Sequence, residues 1–144
     1  MSKEFHPDDA FLRGDRKAGR DQIDAVLEKH GLSLENIVTS RDRGWAEARA
    51  DLYRENMPPG WETWQLPLYL VSGTAFFFLT ASAPGAVLTS HAHDVAQLRI
   101  VLSGALIYDR IELKSGDWIY TPPKKEYSLT ASLNPGGAIH LYAY

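Results

Sequence analysis

The 144-residue chain contains no cysteine. That excludes a disulfide framework, a thiolate zinc site, an iron–sulfur cluster and a cysteine nucleophile. Positive charge is also short: fifteen Lys and Arg stand against eighteen Asp and Glu, a formal net charge of −3. A domain that binds nucleic acid normally carries a basic face, so that class is disfavoured. There is no G-x-S-x-G nucleophile motif, no P-loop and no dinucleotide fingerprint. The opening stretch, MSKEFHPDDAFLRGDRKAGRD, lacks the apolar core of a signal peptide. An uncharged run extends from Thr63 to Ser90, but Pro67, Gly73, Pro84 and Gly85 interrupt it and Thr and Ser dilute it. A spanning helix needs about 20 predominantly apolar residues, so the run reads as buried strands and turns. The expectation is a soluble, cytoplasmic, single-core protein with neither a membrane nor a nucleic-acid partner.

What is present divides the chain in two. Residues 1–57 are rich in charge; from Trp61 onward Val, Ile, Leu, Thr, Phe and Tyr dominate, and Met57-Pro58-Pro59-Gly60 forms the seam. In the first part the spacing of Ile23, Val26 and Leu27 predicts a helix over Asp21–His30, ended by Gly31. Ser33 is placed to cap a brief second helix carrying Leu34 and Ile37. A third, over about Gly44–Asn56, would present Trp45, Ala48, Leu52 and Tyr53. A helix-turn-helix is disfavoured because no basic recognition helix is evident. These 57 residues are expected to form a helical appendage that covers the second part or an interface.

The second part reads as strand and turn throughout. Strands are expected at Leu66–Leu70, Thr74–Thr80, Ala86–His93, Ala96–Leu102, Ala105–Arg110, Asp117–Thr121, Glu126–Ala131 and Ala138–Tyr144. The breaks between them hold Ser72-Gly73, Pro84-Gly85, Ser103-Gly104, Ser115-Gly116, Pro122-Pro123 and Asn134-Pro135. Short strands at even spacing argue for an antiparallel sandwich or barrel. Phe76, Phe77, Phe78 and Trp118 are expected in the core or lining a pocket, and Lys124 and Lys125 in a solvent-facing turn.

Of the five histidines, His91 and His93 are the informative pair. Residues two apart on a strand point to the same face, so both imidazoles can approach one ion. Gln97 has the same parity, provided no turn intervenes at Asp94-Val95-Ala96. Neutral imidazole suits iron, zinc, nickel, manganese or copper, which spacing does not separate.

The surroundings sharpen this reading. Gly85, five residues, His91-Ala92-His93, three residues, Gln97, six residues and Gly104 resemble the first motif of the cupin superfamily, with Gln where Glu is usual. Gly116-Asp117, Trp118–Thr121 and Pro122 are similar to its second motif. That match then decays: Lys124 replaces Gly, Tyr127 stands at the third histidine and Ala131 at Asn. The resemblance covers roughly residues 61–144. It implies an all-β fold, a cupin-type double-stranded β-helix or jelly-roll barrel over 58–144, with residues 1–57 as a short α-helical N-terminal appendage.

The resemblance also implies one divalent transition-metal ion at the barrel mouth, Fe(II) favoured and Zn, Mn or Ni open. His91 and His93 are its ligands and Gln97 holds the third position, either coordinating or hydrogen-bonded behind the ligands. Tyr127 is a ligand or a barrel-lining hydroxyl that orients substrate or acts as a general acid. His140 is the other candidate for third histidine, or a structural residue. Arg99 shares the inward face with Gln97, so it would hold a substrate carboxylate or enolate, or else pair with Asp94, Asp109 or Glu112. The expected activity is that of a metal-dependent enzyme, dioxygenase-type, on a small anionic or enolisable molecule. A non-oxidative isomerase or lyase, and a non-catalytic ligand-binding or sensor barrel, stand beside it. The apolar face opposite Arg99 needs covering, so a homodimer is expected alongside the small-molecule partner.

Overall fold

The structure is a computed structural model that describes residues 15–70, 75–133 and 136–144. The expected breaks at Ser72-Gly73 and Asn134-Pro135, and most of the opening stretch, lie outside the described residues.

Helix α1 spans Arg16–His30. Asp15 caps it by accepting from the Ala18 N–H at 2.9 Å, and Gly31 ends it in the left-handed region at φ 66°. It begins earlier than the apolar spacing indicates because its first turn is polar and the cap, not the stripe, sets its start. Gly19, Ile23 and Leu27 form its buried face. The expected helix at Ser33 is absent: the Ser33 Oγ accepts from the Glu35 N–H at 3.1 Å in a local turn, and Ile37 is fully exposed. Helix α2 is only Trp45–Ala50. Tyr53 and Arg54 leave the expected third helix because Trp64 and Thr63 capture them as a strand partner.

Nine strands follow among the described residues: β1 Tyr53–Arg54, β2 Trp61–Leu70, β3 Ala75–Ser82, β4 Val87–His91, β5 Gln97–Tyr108, β6 Ile111–Lys114, β7 Trp118–Thr121, β8 Tyr127–Ala131 and β9 Ala138–Ala143. All pairings are antiparallel, in the order β1-β2-β3-β9-β5-β8-β4, with β6 and β7 also on β5. The fold is a mostly-β, curled antiparallel half-barrel. Burial alternates strictly along β3, so each strand has an inner and an outer face.

The two strands expected on either side of Ser103-Gly104 are one, β5. Its first half pairs with β7 and β9 and its second half with β6 and β8, across a register shift between Val101 and Ser103. Gly104 makes this possible. It has φ 70°, and a Cβ there would run into the carbonyl oxygen of Gly137, which already accepts from the Ala105 N–H at 3.1 Å. A glycine that looks like a turn in the sequence is therefore the bend inside a continuous strand.

Two core clusters result. One joins α1 and α2 to the barrel through Ile23, Leu27, Trp45, Leu52, Phe76, Phe78 and Tyr142. The other lies inside the barrel, around Trp61, Leu88, Val101, Leu106, Tyr127 and Leu129. The first crosses the Met57–Gly60 seam, so the helices close one end of the barrel. Trp118, expected in the core, is 63% exposed on the outer face beside Tyr120. No described helix is long and apolar enough to cross a membrane.

Gly104→Ala combines a forbidden contact with a left-handed backbone. It is expected to lower stability by about 2 kcal/mol or more, read as a lower urea midpoint at unchanged slope.

Candidate functional site

His91 is the last residue of β4 and pairs in register with Tyr127 on β8. Its Nδ1 lies 2.6 Å from the Thr89 carbonyl oxygen. A carbonyl only accepts, so Nδ1 carries the proton and Nε2 keeps the lone pair. Metal-binding histidines are commonly oriented this way.

His93 does not share a strand face with His91, because β4 has already ended. The loop that follows turns it inward to 3% exposure, and its carbonyl accepts from the Lys124 N–H. The two imidazoles meet by this turn, not by parity: their centroids are 4.6 Å apart in a T-shaped contact, and His91 lies 4.7 Å from the Tyr127 ring.

Gln97 arrives from the first residue of β5, and Tyr127 links it to His93. The Tyr127 hydroxyl donates to Gln97 Oε1 at 3.2 Å and lies 3.3 Å from His93 Nε2. Gln97 is 4% exposed, and its Nε2 has no hydrogen-bond partner among the described residues. Burying an amide nitrogen without a partner is costly. The hollow here is bordered by Trp61, Leu88, His91, His93, Arg99 and Tyr127 and has a volume of about 10 Å³. That is room for one water or one ion and not for an organic molecule.

Arg99 lies one step further in on the same face of β5. It is buried, with Nη1 donating to His140 Nδ1 at 2.8 Å, and its guanidinium lies over Tyr142 at 4.6 Å and Trp61 at 5.9 Å. None of Asp94, Asp109 or Glu112 pairs with it among the described residues. Burial pushes its pKa down, opposed by its contact with Tyr127. The guanidinium stays charged all the same.

The structure does not bring His140 to His91 and His93. Fully buried on β9, it has both ring nitrogens engaged: Nδ1 accepts from Arg99, so Nε2–H donates to Ser82 Oγ at 2.9 Å. Burial first, and the Arg99 charge second, hold its pKa well below the ordinary 6.5. A histidine serving as acceptor to one neighbour and donor to the other has no lone pair left for an ion.

Among the described residues no three His, Cys, Asp or Glu side chains converge as a metal cluster. The donor set that does converge is two imidazoles, an amide oxygen and a phenol. Two donors held about 2.1 Å from one ion stand roughly 3.0–3.4 Å apart at octahedral or tetrahedral angles. The Tyr127–Gln97 and Tyr127–His93 spacings, 3.2 and 3.3 Å, fall in that range and are compatible with an ion among these three donors. Sequence reading missed Trp61 and Ser82. The inward parity of Ser82 with Thr80 on β3 was the available signal.

Buried neutral, His140 couples stability to pH. Its unfolded form takes up a proton below about pH 6.5, whereas the folded form resists until its depressed pKa. Stability is therefore full above pH 6.5 and falls as the pH drops through the window below it. Urea unfolding between pH 7.5 and 5.5 is expected to show this slope. His140→Gln is expected to flatten it and to cost about 1–3 kcal/mol at neutral pH, since Arg99 loses its acceptor.

The family model described as "ChrR Cupin-like domain" matches residues 49–141. No curated protein matches the chain. Among solved structures, that of Rhodobacter sphaeroides SigE in complex with the anti-sigma ChrR is similar over 99% of both chains, at 15% identity and a TM-score of 0.54. The polyketide cyclase RemF from Streptomyces resistomycificus aligns over 66% of this chain and 74% of its own, at 16% identity and a TM-score of 0.51. An RmlC-like cupin protein from Ralstonia eutropha aligns over 59% of this chain, at 12% identity and a TM-score of 0.50; the match spans about half of that protein, 55%.

Proposed function

Because the chain belongs to the ChrR cupin-like family, we propose that its barrel is a metal-binding module in which His91, His93, Gln97 and Tyr127 hold one divalent transition-metal ion. The observation that carries this is the convergence of His91, His93 and Tyr127 on a hollow the size of an ion, with Gln97 hydrogen-bonded to Tyr127 beside it. When bound, such an ion supplies a fixed positive charge, a Lewis acid and, as iron, a redox centre. The chain's own residues do the rest. Thr89 sets the His91 tautomer, Lys124 anchors the loop that aims His93, and Tyr127 ties Gln97 on β5 to His93 on that loop.

The size of the hollow favours binding or sensing over turnover, and so does the engagement of Arg99 with His140, Trp61 and Tyr142. The solved relative ChrR is in complex with SigE, so an output through a protein partner suits this reading better than a small molecule alone. The enzymatic reading, dioxygenase-type or non-oxidative on a small anion, draws on one feature: Arg99 lines the same hollow and has no carboxylate partner among the described residues. It requires Trp61 or Met57 to swing aside for substrate.

Protein purified without an affinity tag and given Fe(II), Mn(II), Ni(II) or Zn(II) is expected to retain about one equivalent after gel filtration. At a hundredfold excess over its Kd the ion would add about 2.7 kcal/mol of stability. His91→Ala and His93→Ala are each expected to abolish both effects. Less than about a tenth of an equivalent with every metal would overturn the proposal.

The outer face supports a second copy as partner. Tyr53, Trp64, Leu79, Leu141, Ile100 and Trp118 form one row across six strands. The segment from residue 38 through α2 overlies the row from β2 as far as Leu141 on β9, leaving Trp118 63% and Tyr120 56% exposed beyond it. We place a twofold contact there. Light scattering is expected to give twice the chain mass, and the chain mass for the Trp118→Glu, Tyr120→Glu double variant. A monomeric parent at micromolar concentration contradicts it.

A further inference from the structure

The outer face also carries a cavity that the metal reading does not use. It lies between the sheet and the segment running from residue 38 through α2, and its volume is about 480 Å³. Trp45, Leu66, Leu79, Leu102 and Leu141 supply apolar walls, and among the described residues Arg49 is the one charged side chain that lines it. The size and the apolar lining are those of a small-molecule pocket, typically about 300–1,000 Å³ with a few polar groups.

Arg49 gives the pocket its chemistry. Its guanidinium is held over the Trp64 ring at 5.4 Å, and its Nε is sealed from water with no hydrogen-bond partner among the described residues. No described carboxylate pairs with it. A fixed guanidinium at the edge of an apolar chamber matches a planar carboxylate on an apolar body. An amine would meet like charge. A phosphate or polyol would leave most of its acceptors and donors facing leucine. The walls exclude a bulky partner too, because the chain's own residues 38–40 already roof the chamber.

We infer that this cavity binds a medium-chain alkyl carboxylate, its tail against Leu66, Leu79 and Leu141 and its carboxylate on Arg49. The site is separate from the histidine cluster. Leu79 and Leu141 face away from the barrel, while their chain neighbours Thr80 and His140 face into it.

The test is titration of the full chain with octanoate, octanol and octylamine, read by the fluorescence of Trp45 and Trp64 and by thermal shift. Octanoate is expected to bind saturably and at least about tenfold more tightly than octylamine, the gain of one charge-assisted hydrogen bond. Arg49→Gln is expected to weaken octanoate about tenfold while leaving octanol unchanged. Leu102→Phe, at a partly exposed wall position that can accept bulk, is expected to weaken all three. No saturable octanoate binding below millimolar concentration, equal binding of octylamine, or an Arg49→Gln variant with unchanged octanoate affinity would each overturn the inference. None of these results depends on whether His91 and His93 bind a metal.

Discussion

β5 belongs to both halves of the barrel because residue 104 has no side chain. The strand leaves one sheet and enters the other where Gly104 packs against the Gly137 backbone, and the Ala105 and Ser132 N–H groups seal the corner at 3.1 and 2.9 Å. Everything inside follows from that continuity. One half of β5 presents Gln97, Arg99 and Val101 inward. The other half pairs with β8, which carries Tyr127, and β8 in turn holds β4 with His91. Side chains from three strands and one loop thus meet because a single strand was allowed to bend. Rigid placement of this kind is what lets weak neutral donors act together.

The interior is electrostatically unusual. It holds a permanent cation, Arg99, which no described carboxylate balances, and it manages the charge with soft partners: the Nδ1 lone pair of His140 and the faces of Tyr142 and Trp61. That choice explains the state of His140. A second positive charge 2.8 Å from a guanidinium in a dry site is prohibitive, so the ring is fixed as a neutral acceptor and Ser82 takes its remaining proton. The usual glutamate of the first cupin motif would place a negative charge here. Gln97 does not, and an ion bound beside it would add to the positive field already set by Arg99.

How much of this was legible in the sequence depended on whether a signal was local. The spacing from Gly85 through His91, His93 and Gln97 to Gly104 was enough to give the barrel and to single out the candidate donors, because each of those residues answers a backbone or donor requirement of its own. Parity, by contrast, failed where the chain stopped being a strand. His93 reaches His91 through a loop, and Gln97 through the start of a new strand. Gly104 read as a turn because glycine permits both a turn and a bulge, and only the partner strands decide between them. Tyr53-Arg54 and Ile111–Lys114 were missed because two- and four-residue strands exist by virtue of their neighbours. The fate of Arg99 was beyond local reading. Its acid candidates lie nearby in sequence, whereas its actual partner, His140, is contributed by a strand 41 residues away.

The central claim is that four side chains from β4, its following loop, β5 and β8 share one ion. Anomalous diffraction from a crystal soaked in zinc addresses it most directly. The account predicts one strong peak enclosed by His91, His93, Gln97 and Tyr127, with His140 still bonded to Arg99 and Ser82. A barrel interior without a peak, or zinc found only on exposed groups such as His30 and Asp51, would contradict it.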